Sequence, residues 1–94
     1  MKIGILQLYL FLPGCTSLKE KRGRIKPLIA RLHKEFNLSV CELERQDAWQ
    51  EAVIGCALIN NHEVLIQQTF GKIVAFTQTF YTEIELTQEK IEIL

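Results

Sequence analysis

The spacing of apolar residues changes repeatedly along the chain, and each change predicts an element. Ile3 to Leu12 is an apolar run interrupted by Gly4 and Gln7 and closed by Pro13-Gly14. Such a run reads as a strand, and as a central one. Ile3, Ile5, Tyr9 and Phe11 share one face, while Leu6, Leu8, Leu10 and Leu12 share the other, so neither face suits free water. From Ser17 the period becomes helical. Leu18, Ile25, Leu28, Ile29, Leu32 and Phe36 fall within an arc of about 100°. Ser17 and Glu20 form an S-x-x-E capping box at its start. Pro27 interrupts this helix chemically, because it has no N–H for the Gly23 carbonyl, and a bend is expected there.

Leu38 to Arg45 alternates, with Val40, Glu42 and Glu44 on one face and Cys41 and Leu43 on the other. This predicts an edge strand whose charged face looks outward. Gln46 to Gln50 reads as a connection, with Asp47 capping the turn and Trp49 packing over the end of the core. Ala52 to Ile59 is apolar on both faces and predicts a second central strand. Asn60-Asn61 then opens a helix over His62 to Phe80, with Leu65, Ile66, Phe70, Ile73, Val74, Phe76 and Phe80 on its apolar face. Glu83 to Leu94 is a last strand. Its inward parity shifts between Ile84/Leu86 and Ile91/Ile93, which predicts a bulge near Gln88.

The order β-α-β-β-α-β suits a ferredoxin-like α+β sandwich: a four-stranded antiparallel sheet with two helices on one face. Strands one and three are expected in the centre, two and four at the edges. Residues 1–94 make one domain, without repeat or low-complexity linker.

Charge adds what periodicity cannot. The chain is neutral, yet residues 1–34 carry eight cations against one acid, and residues 35–94 carry three cations against ten acids. Seven of the eleven cations stand in SLKEKRGRIKPLIARLHK, residues 17–34. Such asymmetry points to an anionic partner, or to the pairing of the protein's own halves or of two copies. On a wheel of ~100° per residue with Lys19 at 0°, Lys26 lies near ~340°, His33 near ~320° and Arg22 near ~300°. This stripe has no acid within a turn on its own face. Arg24 and Arg31, on another side, form i, i+4 pairs with Glu20 and Glu35. Cations in a first helical turn oppose the helix dipole unless an anion sits there. Ser17, Lys19, Lys21, Arg22 and Lys26 are therefore the candidate phosphate contacts, with RNA as the phosphate source. The plainer explanation is a solvated helix face.

Other chemistry is thin. Cys15, Cys41 and Cys56 are odd in number and widely spaced, which reads as small core hydrophobes in a reducing cytoplasm. No spacing supports a metal site or a cofactor, and no catalytic pair stands out. LPGC at 12–15 imitates a lipoprotein cleavage box, but cleavage there would remove the most hydrophobic strand. The loop between first strand and first helix invites an acylphosphatase-like alternative, yet it lacks a glycine-rich cradle. An RNA reader using the sheet face would need aromatics on both central strands, and AVIGCALI offers none. The sheet face without helices would be apolar, which predicts a homodimer through it. No run is long enough to span a membrane.

SLKEKR at 17–22, QDAWQ at 46–50 followed by Ala52-Val53-Ile54-Gly55, and the closing IEIL at 91–94 resemble the YlxP-like family of small bacterial proteins. The likeness spans nearly the whole chain. It implies a ferredoxin-like fold, an association with translation and ribosome maturation from gene neighbourhoods, and no transferable catalytic activity. The expected function is a non-enzymatic RNA- or ribosome-associated accessory factor. The alternative is a homodimeric interaction module whose basic helix docks on an acidic protein surface. Asp47 and Trp49 mark a possible interaction loop.

Overall fold

The computed structural model describes residues 1–43 and 48–94. Its elements run β1 (Lys2–Phe11), α1 (Leu18–Glu35), β2 (Ser39–Glu42), β3 (Glu51–Asn60), α2 (Glu63–Phe80) and β4 (Glu85–Ile93). The four strands form one antiparallel sheet of order β2-β3-β1-β4, with the two most hydrophobic strands in the middle. This is the ferredoxin-like α+β arrangement that the sequence predicts.

Parity decides which face of β1 meets the helices. The even set, Leu6, Leu8, Leu10 and Leu12, is buried beneath them with Ala52, Ile54 and Cys56 of β3. Ile25, Leu28 and Leu32 of α1 and Ile66, Phe70 and Ile73 of α2 close the core from above. Gly4 lets α2 approach: a Cβ there would lie 2.3 Å from Ile66 Cγ2 and 3.0 Å from the Phe70 ring. The odd set, Ile3, Ile5, Gln7, Tyr9 and Phe11, lines the face without helices.

α1 runs unbroken through Pro27, with Ser17 as its N-cap. The Ser17 hydroxyl oxygen accepts from the Glu20 N–H at 3.1 Å. The reciprocal half of the box is displaced by one residue, because the Glu20 carboxylate accepts from the Thr16 N–H at 2.9 Å and its hydroxyl at 3.1 Å. Before α2, the side-chain oxygen of Asn60 accepts from the His62 N–H at 2.9 Å and fixes the turn. The expected irregularity in β4 is present. The β1–β4 register slips between Tyr9 and Leu10, so Gln88 faces Tyr9 while Leu86 faces Leu10, and Thr87 donates its hydroxyl to the Tyr9 carbonyl at 3.1 Å.

Several expectations are corrected. Val40 and Glu42 of β2 pair with Cys56 and Ile54, which places them on the helix side, so the charged face of β2 looks inward. Leu65 and Phe80, expected on the apolar face of α2, are exposed, and Thr77 is buried in their stead. Thr77 is tolerated there because its hydroxyl donates to the Ile73 carbonyl at 2.9 Å. Trp49 is 54% exposed and does not close the core. Asp47 and its expected turn cap, with Glu44, Arg45 and Gln46, lie outside the described residues.

Candidate functional site: the outer flank of the first helix

The cations expected to act together separate into three groups. Lys19, Arg22 and Lys26 are exposed on one flank of α1, and among the described residues they form no ion pair. Lys21 belongs elsewhere. It is 1% exposed, and its Nζ lies 2.8 Å from Glu42 Oε2 of β2, so it is no surface contact for phosphate. The physical reason is its wheel position near ~200°, between Leu28 and Ile25 at the centre of the buried arc. A lysine there must bring its charge to an acid, and Glu42 on the inward face of the neighbouring edge strand supplies one.

Arg24 is the third case. Its guanidinium donates to the Pro13 carbonyl at 3.1 Å and to the Glu83 carbonyl at 2.5 Å. It thus ties the β1–α1 loop to the α2–β4 loop and is not held by Glu20 as expected. Arg31 does pair with Glu35 at 3.5 Å, and it also lies over the Phe76 ring at 5.2 Å. His33 presents Nδ1 to the Leu38 carbonyl at 3.0 Å, closing the α1–β2 link, so the cationic stripe ends at Lys26.

The helix start itself is already occupied. Ser17 caps the Glu20 N–H, and the Glu20 carboxylate places negative charge over the first turn. The Thr16 N–H, then the Thr16 hydroxyl, and least the Arg24 charge hold that carboxyl below the usual carboxylate range, against a weak opposing effect of burial. An anion is therefore better met on the flank than at the helix tip, and Ser17 serves as a cap.

The helix-free sheet face is a second candidate surface. Across β2, β3 and β1 it presents Cys41, Ala57, Ile59, Ile3, Ile5, Tyr9 and Phe11, with Leu43 after β2 packed over Gly55, Val53 buried on the same side, and Ser39, Glu51 and Gln7 as the polar exceptions. β4 differs, showing Glu85, Gln88, Lys90 and Glu92 there, with Lys90 over the Tyr9 ring at 5.1 Å. A groove of about 280 Å³ lies among Ile5, Cys41, Leu43, Gly55 and Ala57. Burial pushes the Cys56 thiol beneath this groove up to about 12, the nearby Cys41 adding to the effect.

Among the described residues no three His, Cys, Asp or Glu side chains stand together as metal ligands do, and no helix is long and apolar enough to cross a membrane. The molecule is therefore a small ferredoxin-like sandwich with a basic helix flank that forms no ion pair among the described residues, and a largely apolar open sheet face. Residues 3–91 match the family described as "Protein of unknown function (DUF503)", and the chain belongs to that family. It is 32% identical over 90 residues to "Uncharacterized protein YlxP" of Bacillus subtilis (strain 168), covering 96% of this chain and 97% of that one. Neither description assigns an activity. Among solved structures, the de novo designed protein Foldit4 is similar with a TM-score of 0.56 at 11% identity, over 100% of this chain and 97% of that one. A single-residue mutant of SnoaB, a cofactor-independent oxygenase from Streptomyces nogalater, is similar with a TM-score of 0.54 at 10% identity, over 99% and 90%. Both likenesses concern the fold alone.

Proposed function

We propose that the protein is a non-enzymatic, cytoplasmic RNA- or ribosome-associated accessory factor that contacts phosphate through Lys19, Arg22 and Lys26. One observation carries this reading: three exposed cations line one helix flank without an ion pair among the described residues. Three contacts give weak, salt-sensitive and sequence-tolerant binding, which suits an accessory on a larger ribonucleoprotein. The experiment is fluorescence anisotropy of a labelled ribosomal RNA fragment with wild type and with Arg22→Glu/Lys26→Glu. Loss of binding in the double mutant supports the reading. Equal binding sinks it and leaves the alternative, docking on an acidic protein surface.

The open sheet favours a second, compatible reading, in which that face meets a second copy of the chain. With β1 and β3 of ten residues, β4 of nine and β2 of four, strands ~4.8 Å apart and rising ~3.3 Å per residue present ~500 Å² of flat area, at the scale of a small interface below the ~800 Å² per partner of a standard one. The β4 edge, with Glu85, Glu89 and Glu92, is a poor site for edge-to-edge pairing. Sedimentation at low and high salt tests this. A dimer that persists in salt and dissociates on Ala57→Glu is expected, and a monomer in every condition excludes it.

A further inference from the structure

Resting on the phosphate reading above, we infer that the protein binds single-stranded RNA across α1, with one base stacked on Phe80 in the cleft beside that helix. The cleft has a volume of about 330 Å³ and is lined by Gly23, Arg24, Pro27, Phe80, Tyr81 and Glu83, among others, at the small end of the range for ligand clefts. It opens next to the cationic flank through Gly23, which on the helix surface is the i, i+4 neighbour of Lys19 and the i, i+3 neighbour of Lys26. On the wheel Gly23 and Pro27 lie near ~40° and ~80°, between the stripe and Arg24.

The walls are preformed. Arg24 clamps the Pro13 and Glu83 carbonyls, and the Tyr81 hydroxyl donates to the Pro27 carbonyl at 3.3 Å. These bonds tie α1 to the α2–β4 loop, so a ligand meets a shaped cleft and little ordering cost. Nothing lies within 4 Å of the position a Gly23 Cβ would take, so a flat ring can approach the helix backbone there.

Phe80 is an aromatic of the cleft wall that faces solvent. It is 64% exposed at the C-terminal end of α2. Its ring is supported from one side by Phe76 at 5.0 Å. Phe76 is in turn fixed by Phe36, edge-on at 5.9 Å, and by the Arg31 guanidinium at 5.2 Å. A braced, exposed aromatic beside a cationic track is the arrangement that binds single strands: phosphates follow the charge, and bases stack on the ring regardless of sequence. The charge across the cleft also sets the orientation. Phosphates belong on the α1 side, and the base points toward the loop that carries Glu83.

The test uses two fluorescein-labelled probes of equal charge, a dodecameric oligoadenylate and an abasic ribose-phosphate dodecamer. They are titrated with wild type, Phe80→Ala, Phe80→Trp and Arg22→Glu/Lys26→Glu. Wild type is expected to bind oligoadenylate about 5- to 100-fold more tightly than the abasic strand, the gain one stacked base provides. Phe80→Ala removes that gain and leaves the abasic affinity unchanged, while Phe80→Trp keeps it. If Phe80→Ala binds oligoadenylate like wild type while the charge-reversed variant has lost both probes, the stacking site is wrong and the phosphate reading stands. If wild type binds neither probe, or the charge-reversed variant binds like wild type, both fail.

Discussion

Replacing Lys21 by Met should destabilise the domain far more than replacing any of the exposed flank cations Lys19, Arg22 and Lys26. Met matches the lysine stem in length and leaves no cavity, so the experiment isolates the charge. Lys21 Nζ and Glu42 Oε2 are 2.8 Å apart, and the two side chains are 1% and 20% exposed. At an effective dielectric of about 20 their attraction is ~6 kcal/mol gross, most of it offset by the cost of taking both charges from water. The informative quantity is what remains when one partner is removed. Breaking a buried pair costs ~3–5 kcal/mol where it strands a charge. Glu42 retains some contact with water, so the lower end, ~3 kcal/mol, is expected.

Against a total stability of ~5–15 kcal/mol for a domain of this kind, such a loss is easily read by urea denaturation. The companion variant Glu42→Leu should also be costly, and Lys21→Met/Glu42→Leu should recover much of the loss, giving a coupling of about 1–3 kcal/mol. A Lys21→Met loss below ~1 kcal/mol, or a double mutant no better than the worse single, would refute the inward-facing pair. Lys19→Met on the exposed flank serves as the control and should change stability by less than ~0.5 kcal/mol.

Three further outcomes are expected. Gly4→Ala should cost about 1–3 kcal/mol by forcing α2 off the sheet, while Gly23→Ala, in open space mid-helix, should add about 0.5–1 kcal/mol; urea midpoints check both. Of the three thiols, exposed Cys41 should react rapidly with an aromatic disulfide reagent, and buried Cys15 and Cys56 only as the fold opens; a second fast thiol would contradict the burial described. Glu20, whose carboxyl is held low in the fold, stabilises above the unfolded carboxyl range and loses that contribution as pH falls through its folded value. Stability should therefore drop below about pH 4.5 less steeply in Glu20→Gln than in wild type, as thermal unfolding across pH 2–6 would show.

The fold was legible because its signals are redundant. β1 and β3 show apolar residues on both faces, β4 carries a parity break that locates its bulge, and Ser17 with Glu20 marks the start of α1. The site was less legible because a count of cations ignores direction. Lys21 sits among six other cations in sequence and opposite Lys19 on the helix, and the same wheel that isolates the Lys19 stripe places Lys21 in the core arc. That inward lysine demands an inward acid, which would have turned β2 over and placed Glu42 on the helix side. Arg24 misled differently. Its i, i+4 acid was available locally, but the acid is held by Thr16, and the carbonyls of two loops distant in sequence take the guanidinium. The cleft at Phe80 had no signal in the pattern, because an aromatic at a helical apolar position reads as core until the neighbouring element is known to stop short of it.

The most direct test of the account is the salt dependence of RNA binding. With Lys21 withdrawn into the core, three phosphate contacts remain, and the log–log slope of affinity against salt should be about −2 for a single strand. Arg22→Gln should bring it to about −1.4, and Lys21→Met, where it remains folded, should leave it at about −2. A slope near zero, or one that Lys21→Met changes and Arg22→Gln does not, would contradict the assignment of the α1 flank as the phosphate-binding surface.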